Sequence, residues 1–176
     1  ELGLIVEQAE DEIAVLNMAL GASFAGAPSM VATSGGGFAL MVEAVSLAGM
    51  TETPVVICVA QRPAPATGLP TRTEQGDLEF VLHAGHGEFP RAIFAPGSVE
   101  QCFGLTKQAF HLADSYQGPA FILTDQFLAD SYRTVAPFML DETPPVQPWS
   151  TQGHTIATPY RRFALTDTGV SPRLLP

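Results

Sequence analysis

Basic residues are scarce in this 176-residue chain: eight against 18 acidic ones, a formal charge of −10, with Lys107 the one lysine. So anionic a chain cannot neutralise a phosphate backbone or settle on an anionic membrane through a basic patch, and neither nucleic acid nor membrane is an expected partner. Cysteine is nearly missing too. Cys58 and Cys102 lie far apart and form no CxxC pair, so this chain alone holds no iron–sulfur centre in the usual way, and Cys58, inside an apolar run, reads as a buried small hydrophobe. No apolar run is long enough to span a bilayer and no cleavable signal pattern opens the chain, which leaves the cytoplasm as the expected compartment. Neither G-x-G-x-x-G nor G-x-x-x-x-G-K-[ST] occurs, so a dinucleotide or P-loop site is unsupported. Glu1 in place of an initiator Met suggests a fragment.

What is present reads as a folded α/β domain. Apolar residues make up 46% and charged residues 15%, a balance that favours a buried core over disorder. Short apolar runs at 4–7, 30–33, 55–60, 92–95 and 120–124 are continuous rather than alternating, as strands covered on both faces should be. Between them, 11–25, 37–50 and 99–115 carry helical patterns, which predicts a mostly parallel sheet sandwiched by helices over residues 1–135. From 136 to 176 prolines accumulate without helical period, and this stretch reads as an extended arm or linker toward a following domain.

Several features could carry chemistry. Thr33-Ser34-Gly35-Gly36-Gly37 follows a strand and opens a helix, and it is either a tight turn or a loop that presents backbone N–H groups to a ligand. Glu10, Asp11 and Glu12 suit the positive end of the first helix. Glu12 also precedes a face of small residues, Ala14, Ala19, Gly21 and Ala22, which admits a flat cofactor or another helix. Arg62 ends a strand and Arg72 lies in the proline-rich loop after it, where ligands bind in open α/β sheets. Both guanidiniums suit a carboxylate, or simple surface ion pairs. His83 and His86 could form a metal pair, but the sequence places no third ligand.

The runs Glu7-Gln8-Ala9-Glu10-Asp11-Glu12-Ile13-Ala14, Ala32-Thr33-Ser34-Gly35-Gly36-Gly37-Phe38-Ala39-Leu40-Met41, Gln61-Arg62, Gly68-Leu69-Pro70-Thr71-Arg72-Thr73-Glu74-Gln75-Gly76-Asp77-Leu78 and Leu123-Thr124-Asp125 closely resemble, in order, the alpha subunit of 2-oxoacid:ferredoxin oxidoreductases. The resemblance spans nearly the whole chain. It implies a thiamine-diphosphate pyrimidine-binding domain in which Glu12 faces N1′ of the aminopyrimidine, where a carboxylate shares a proton with the ring and so favours the tautomer that activates the thiazolium. It implies that Ser34, Gly35 and Gly36 form the cofactor-facing turn. Arg62 matches a position near the substrate carboxylate, and Arg72 would meet a distal carboxylate, which favours 2-oxoglutarate.

The family's Tyr-Pro-Ile-Thr-Pro motif, expected upstream of Glu1, is missing, and so is the Gly-Asp-Gly and Asn pattern that holds magnesium and the diphosphate. The resemblance therefore implies a beta subunit that brings magnesium and the diphosphate site, with ferredoxin, an iron–sulfur cluster and coenzyme A elsewhere in the complex. Alternatives are a pyruvate, branched-chain or indolepyruvate oxidoreductase subunit, or a non-catalytic α/β assembly module.

Overall fold

The computed structural model describes residues 3–139 and 159–174. Its elements run α1 (Glu12–Phe24), β1 (Met30–Ser34), α2 (Gly35–Thr51), β2 (Val55–Gln61), α3 (Leu78–His83), β3 (Ala92–Phe94), α4 (Val99–Tyr116), β4 (Pro119–Asp125) and α5 (Gln126–Ala129). Local chemistry marks the ends. Asp11 caps α1 by accepting from the Ala14 N–H at 2.7 Å. At α4, Ser98 accepts from the Gln101 N–H while the Gln101 side chain reaches back to the Gly97 N–H, a reciprocal N-terminal cap.

The four strands are all parallel, in the order β1-β2-β4-β3. The central pair β2 and β4 is buried along nearly its whole length, which is why both read as continuous apolar runs. The edge strands β1 and β3 are only partly covered. One face carries α1, α2 and α3 over a core that includes Leu16, Phe38, Met41, Ile57, Val81 and Phe121. The other carries α4 over Val56, Ala109, Ala113, Ala120 and Ile122. The chain steps outward from β2 to β3 on the first face and back to β4 on the second. The reversal of direction goes with the change of face, as a single crossover handedness requires. Phe38 packs edge-to-face against Phe80 and Phe121, with centroids 5.2 and 5.8 Å away. Burying Phe38 and Phe121 stabilises by roughly 1.5–3 kcal/mol each.

The strand expected at 4–7 does not form. Leu4, Ile5 and Val6 are 77, 82 and 81% exposed and pair with no described strand. An apolar β-branched run becomes a strand only where a sheet edge receives its N–H and C=O groups.

Part of the proline-rich segment, 159–174, lies on the amino edge of the sheet. Arg162 pairs with Glu52 at 2.9 Å and donates to the Thr51 carbonyl at 2.7 Å. Ser171 donates to Glu52 at 3.1 Å. The buried Arg173 donates to the Ser23 carbonyl at 2.8 Å, its guanidinium 5.5 Å from the Phe24 ring centre. Two guanidiniums thus sit on the carbonyl-rich, negative ends of α1 and α2.

Candidate active site

Parallel strands deliver their carboxyl ends to one edge, and the residues singled out above collect there. Ser34 ends β1 as the N-cap residue of α2, extended at φ −92° and ψ 171°, and its hydroxyl makes no capping bond. Gly35, Gly36 and Gly37 form the first turn of α2 rather than a loop ahead of it. Two of these glycines are required by close approach. A Cβ on Gly37 would lie 2.2 Å from Thr33 Oγ1 and 2.5 Å from Glu12 Oε1; one on Gly35 would lie 2.3 Å from Asp77 Oδ2. Glu12, half-buried in the first residue of α1, therefore presses its carboxylate against the start of α2 beside the Thr33 hydroxyl.

Arg62, just past β2, is half-buried and donates from Nη2 to the Leu69 carbonyl at 2.7 Å. Its Nε is buried with no hydrogen-bond partner among the described residues; Gln126 Oε1, next to the end of β4, is in the same condition. Nε and Nη2 form the side-on edge that binds a carboxylate bidentately, so half of that edge is open. A buried donor left without a partner costs free energy and is expected where a ligand completes the site. Arg72 is exposed in the 63–76 loop, and among the described residues no hydrogen bond or ion pair reaches it. Glu12, Ser34 and the glycines are thus brought to one edge with Arg62, whereas Arg72 is left standing in solvent.

Four polar residues here were given no role in the sequence reading. The Asp77 N–H donates to Gln61 Oε1 at 3.1 Å and its carboxylate accepts from the Arg62 N–H at 3.4 Å. Gln75 donates to Asp125 at 2.6 Å, tying the loop to the end of β4. Burial raises the pKa of Asp77, partly opposed by the Arg62 N–H, with Glu74 adding to the rise. The Gln75 hydrogen bond, then the Leu128 N–H, lowers that of Asp125. Nothing in the local sequence distinguishes Asp77 from an ordinary N-cap of α3.

His83 pairs with Glu79 at 3.3 Å on the exposed side of α3, and among the described residues no three His, Cys, Asp or Glu side chains converge as metal ligands would. Cys58 packs among the residues under α4; burial first, and Cys102 second, raise its thiol pKa. Cavities of about 190 and 400 Å³ both open at the amino edge, away from these groups. The larger is lined by Glu52, His86 and Phe163, the smaller by Arg91, Tyr116 and Pro119.

Residues 3–166 match the family described as "Pyruvate flavodoxin/ferredoxin oxidoreductase, thiamine diP-bdg". This chain belongs to that family. Among relatives of this oxidoreductase family, the 2-oxoacid:ferredoxin oxidoreductase 1 subunit alpha of Sulfurisphaera tokodaii is 45% identical over 172 residues, 97% of this chain and 27% of the relative. The 2-oxoglutarate synthase subunit KorA of Archaeoglobus fulgidus is 41% identical over 136 residues, 77% of this chain and 39% of that protein. A solved 2-oxoglutarate:ferredoxin oxidoreductase from Magnetococcus marinus, with 2-oxoglutarate, coenzyme A and succinyl-CoA bound, superposes with a TM-score of 0.89 at 40% identity, covering 99% of this chain and 30% of that one. The chain spans about a quarter of the length of the first of these relatives. The parallel α/β fold read from the sequence is the fold this oxidoreductase family shares.

Proposed function

We propose that this chain is the pyrimidine-side thiamine-diphosphate domain of a 2-oxoacid:ferredoxin oxidoreductase alpha subunit. The complex it serves oxidatively decarboxylates a 2-oxoacid, preferably 2-oxoglutarate, to an acyl-CoA in the cytoplasm. Residues 1–135 form this domain, and 136–176 lead toward a following one. The observation that carries the reading is the half-buried Glu12 carboxylate packed on Gly37 beside Thr33 at the carboxyl edge, so closely that a side chain on Gly37 would overlap it. A carboxylate held at that edge suits a flat ring that needs one carboxylate at its rim. Bound there, thiamine diphosphate supplies the electron sink for decarboxylation.

The chain's own residues supply the rest. Glu12 holds or yields a proton at the aminopyrimidine edge, and a positioned carboxylate in this role is worth roughly 10²–10⁴ in rate. Ser34, Gly35 and Gly36 present the start of α2 to the cofactor. Arg62, with its open Nε, receives the substrate carboxylate, and the exposed Arg72 is free to reach a second, distal one. Magnesium and the diphosphate would be held by a beta subunit, and an iron–sulfur cluster, which would supply electron transfer to ferredoxin, and coenzyme A would bind elsewhere in the complex. Leu4, Ile5 and Val6, together with Ile13, Met18 and Leu40 on α1 and α2, give such a partner apolar surface to cover.

Calorimetry of thiamine diphosphate with magnesium tests the reading, using the full-length alpha subunit alone, with its beta partner, and with the partner after Glu12→Ala. Binding confined to the mixture, with 2-oxoacid decarboxylation lost in the variant, is the expected result. Binding or turnover unchanged by Glu12→Ala sinks it.

A further inference from the structure

Asp77 occupies the N-cap position of α3, where an aspartate ordinarily accepts from its own helix, yet it makes no capping bond. Its carboxylate is turned the other way. It accepts from the Arg62 N–H, lies against the first residue of α2 at Gly35, and is 7% exposed. Its backbone N–H is taken by the Gln61 side chain. Arg62 and Asp77 therefore close the neck of the 63–76 loop, a compact surface loop whose middle is held by Arg62 at Leu69 and whose base is held by Gln75 at Asp125. A helix cap forgone, and a carboxylate buried against a glycine, are costs that α3 itself does not recover.

We infer that Asp77 is a positioning residue: by latching the loop neck to the ends of β2 and α2 it aims the Arg62 guanidinium at the substrate carboxylate. The inference rests on the function proposed above, and it adds a group that touches neither substrate nor cofactor. The Arg62 N–H needs only an acceptor oxygen at this place, which an amide of the same shape keeps and a methyl group lacks. Asparagine therefore does the work of the native side chain, and alanine does not.

Two measurements on the full-length alpha–beta complex test this. The first needs no turnover. Limited trypsin digestion reads opening of the loop at the Arg72–Thr73 bond, since Arg62 precedes Pro63 and that bond resists trypsin. Asp77→Ala accelerates cleavage at Arg72 on the order of tenfold and Asp77→Asn leaves it near the wild-type rate. Equal rates in all three proteins overturn the latch. The second is steady-state kinetics with 2-oxoglutarate. Asp77→Ala raises KM on the order of tenfold with a smaller change in kcat, Asp77→Asn restores KM, and in an Arg62→Ala background Asp77→Ala adds less than about twofold because the two act through one guanidinium. Additive losses, or a loss in kcat alone, overturn the positioning role even where the latch stands. A wild-type complex inert toward every 2-oxoacid overturns the functional reading, while the digestion still decides the latch.

Discussion

The two edges of the sheet are built on opposite terms. At the carboxyl edge, Glu12 and Asp77 are pressed against glycines, Arg62 Nε and Gln126 Oε1 have no described partner, and the loop carrying Arg72 faces solvent. At the amino edge, Arg162 and Arg173 sit on the carbonyl ends of α2 and α1, and Ser171 and Glu52 complete the clasp. Charge is compensated at the amino edge, although the buried Gln117 amide there lacks a described partner. The carboxyl edge leaves Arg62 Nε and Gln126 Oε1, beside the loop, without a described partner. The contrast teaches that the same two helices are anchored at one end so that their other ends can carry an unsatisfied site.

Substitutions at each edge should therefore fail in different assays. The largest effect is expected from Glu12→Ala, which lowers single-turnover decarboxylation by about 10²-fold or more while circular dichroism stays unchanged. Gly37→Ala comes next: its Cβ displaces Thr33 or Glu12, and thiamine-diphosphate affinity of the complex, measured by calorimetry, falls about tenfold or more with helix content retained. At the amino edge, Arg173→Met strands the Ser23 carbonyl and lowers unfolding free energy by about 1–3 kcal/mol in denaturant melts, without altering KM. If Arg173→Met changed KM as well, the two edges would not be separable.

The smallest effects concern pH. Asp77 has a raised folded pKa, so the folded state binds its proton more tightly; stability falls as pH rises above the ordinary carboxylate value and levels off above the folded one. Asp125 is the reverse: its lowered pKa contributes stability above the ordinary value that is lost as pH falls through the folded one. At neutral pH, Asp77→Asn raises Tm and Asp125→Asn lowers it, each by about 2–4 °C in calorimetric scans. Shifts of the same sign would break the distinction.

The parallel sheet, its central strands and the three long helices were legible because continuous apolar runs alternate with longer Ala- and Leu-rich stretches bounded by glycine, proline and capping residues. The start of α2 was legible from its three glycines, and Glu12 from its place before small residues. Helices α3 and α5 were not, since six and four residues are too short to show a period. Run 4–7 misled because strand propensity does not supply a neighbouring strand. Gln61, Gln75, Asp77 and Asp125 carry no local signal; they matter only because β2 and β4 are adjacent, which pairs Gln61 with Asp125 in register. The grip of Arg162 and Arg173 on α2 and α1 is invisible for the same reason, being contacts of residues more than a hundred positions apart.

That adjacency has a kinetic side. The central pairing joins Val55 to Pro119, and everything from the Arg62 loop through α4 lies in the chain between them. The strands that bring Gln61 beside Asp125 therefore close only after a long stretch of chain has been organised or held, an entropic toll paid before any contact repays it. The β1–α2–β2 and β3–α4–β4 units, which pair Met30 with Val56 and Ala92 with Ala120, are both far more local, and the β2–β4 pairing is the one that must join them. Until the two units join, the Arg62 loop has no floor, because its anchor Asp125 lies on β4.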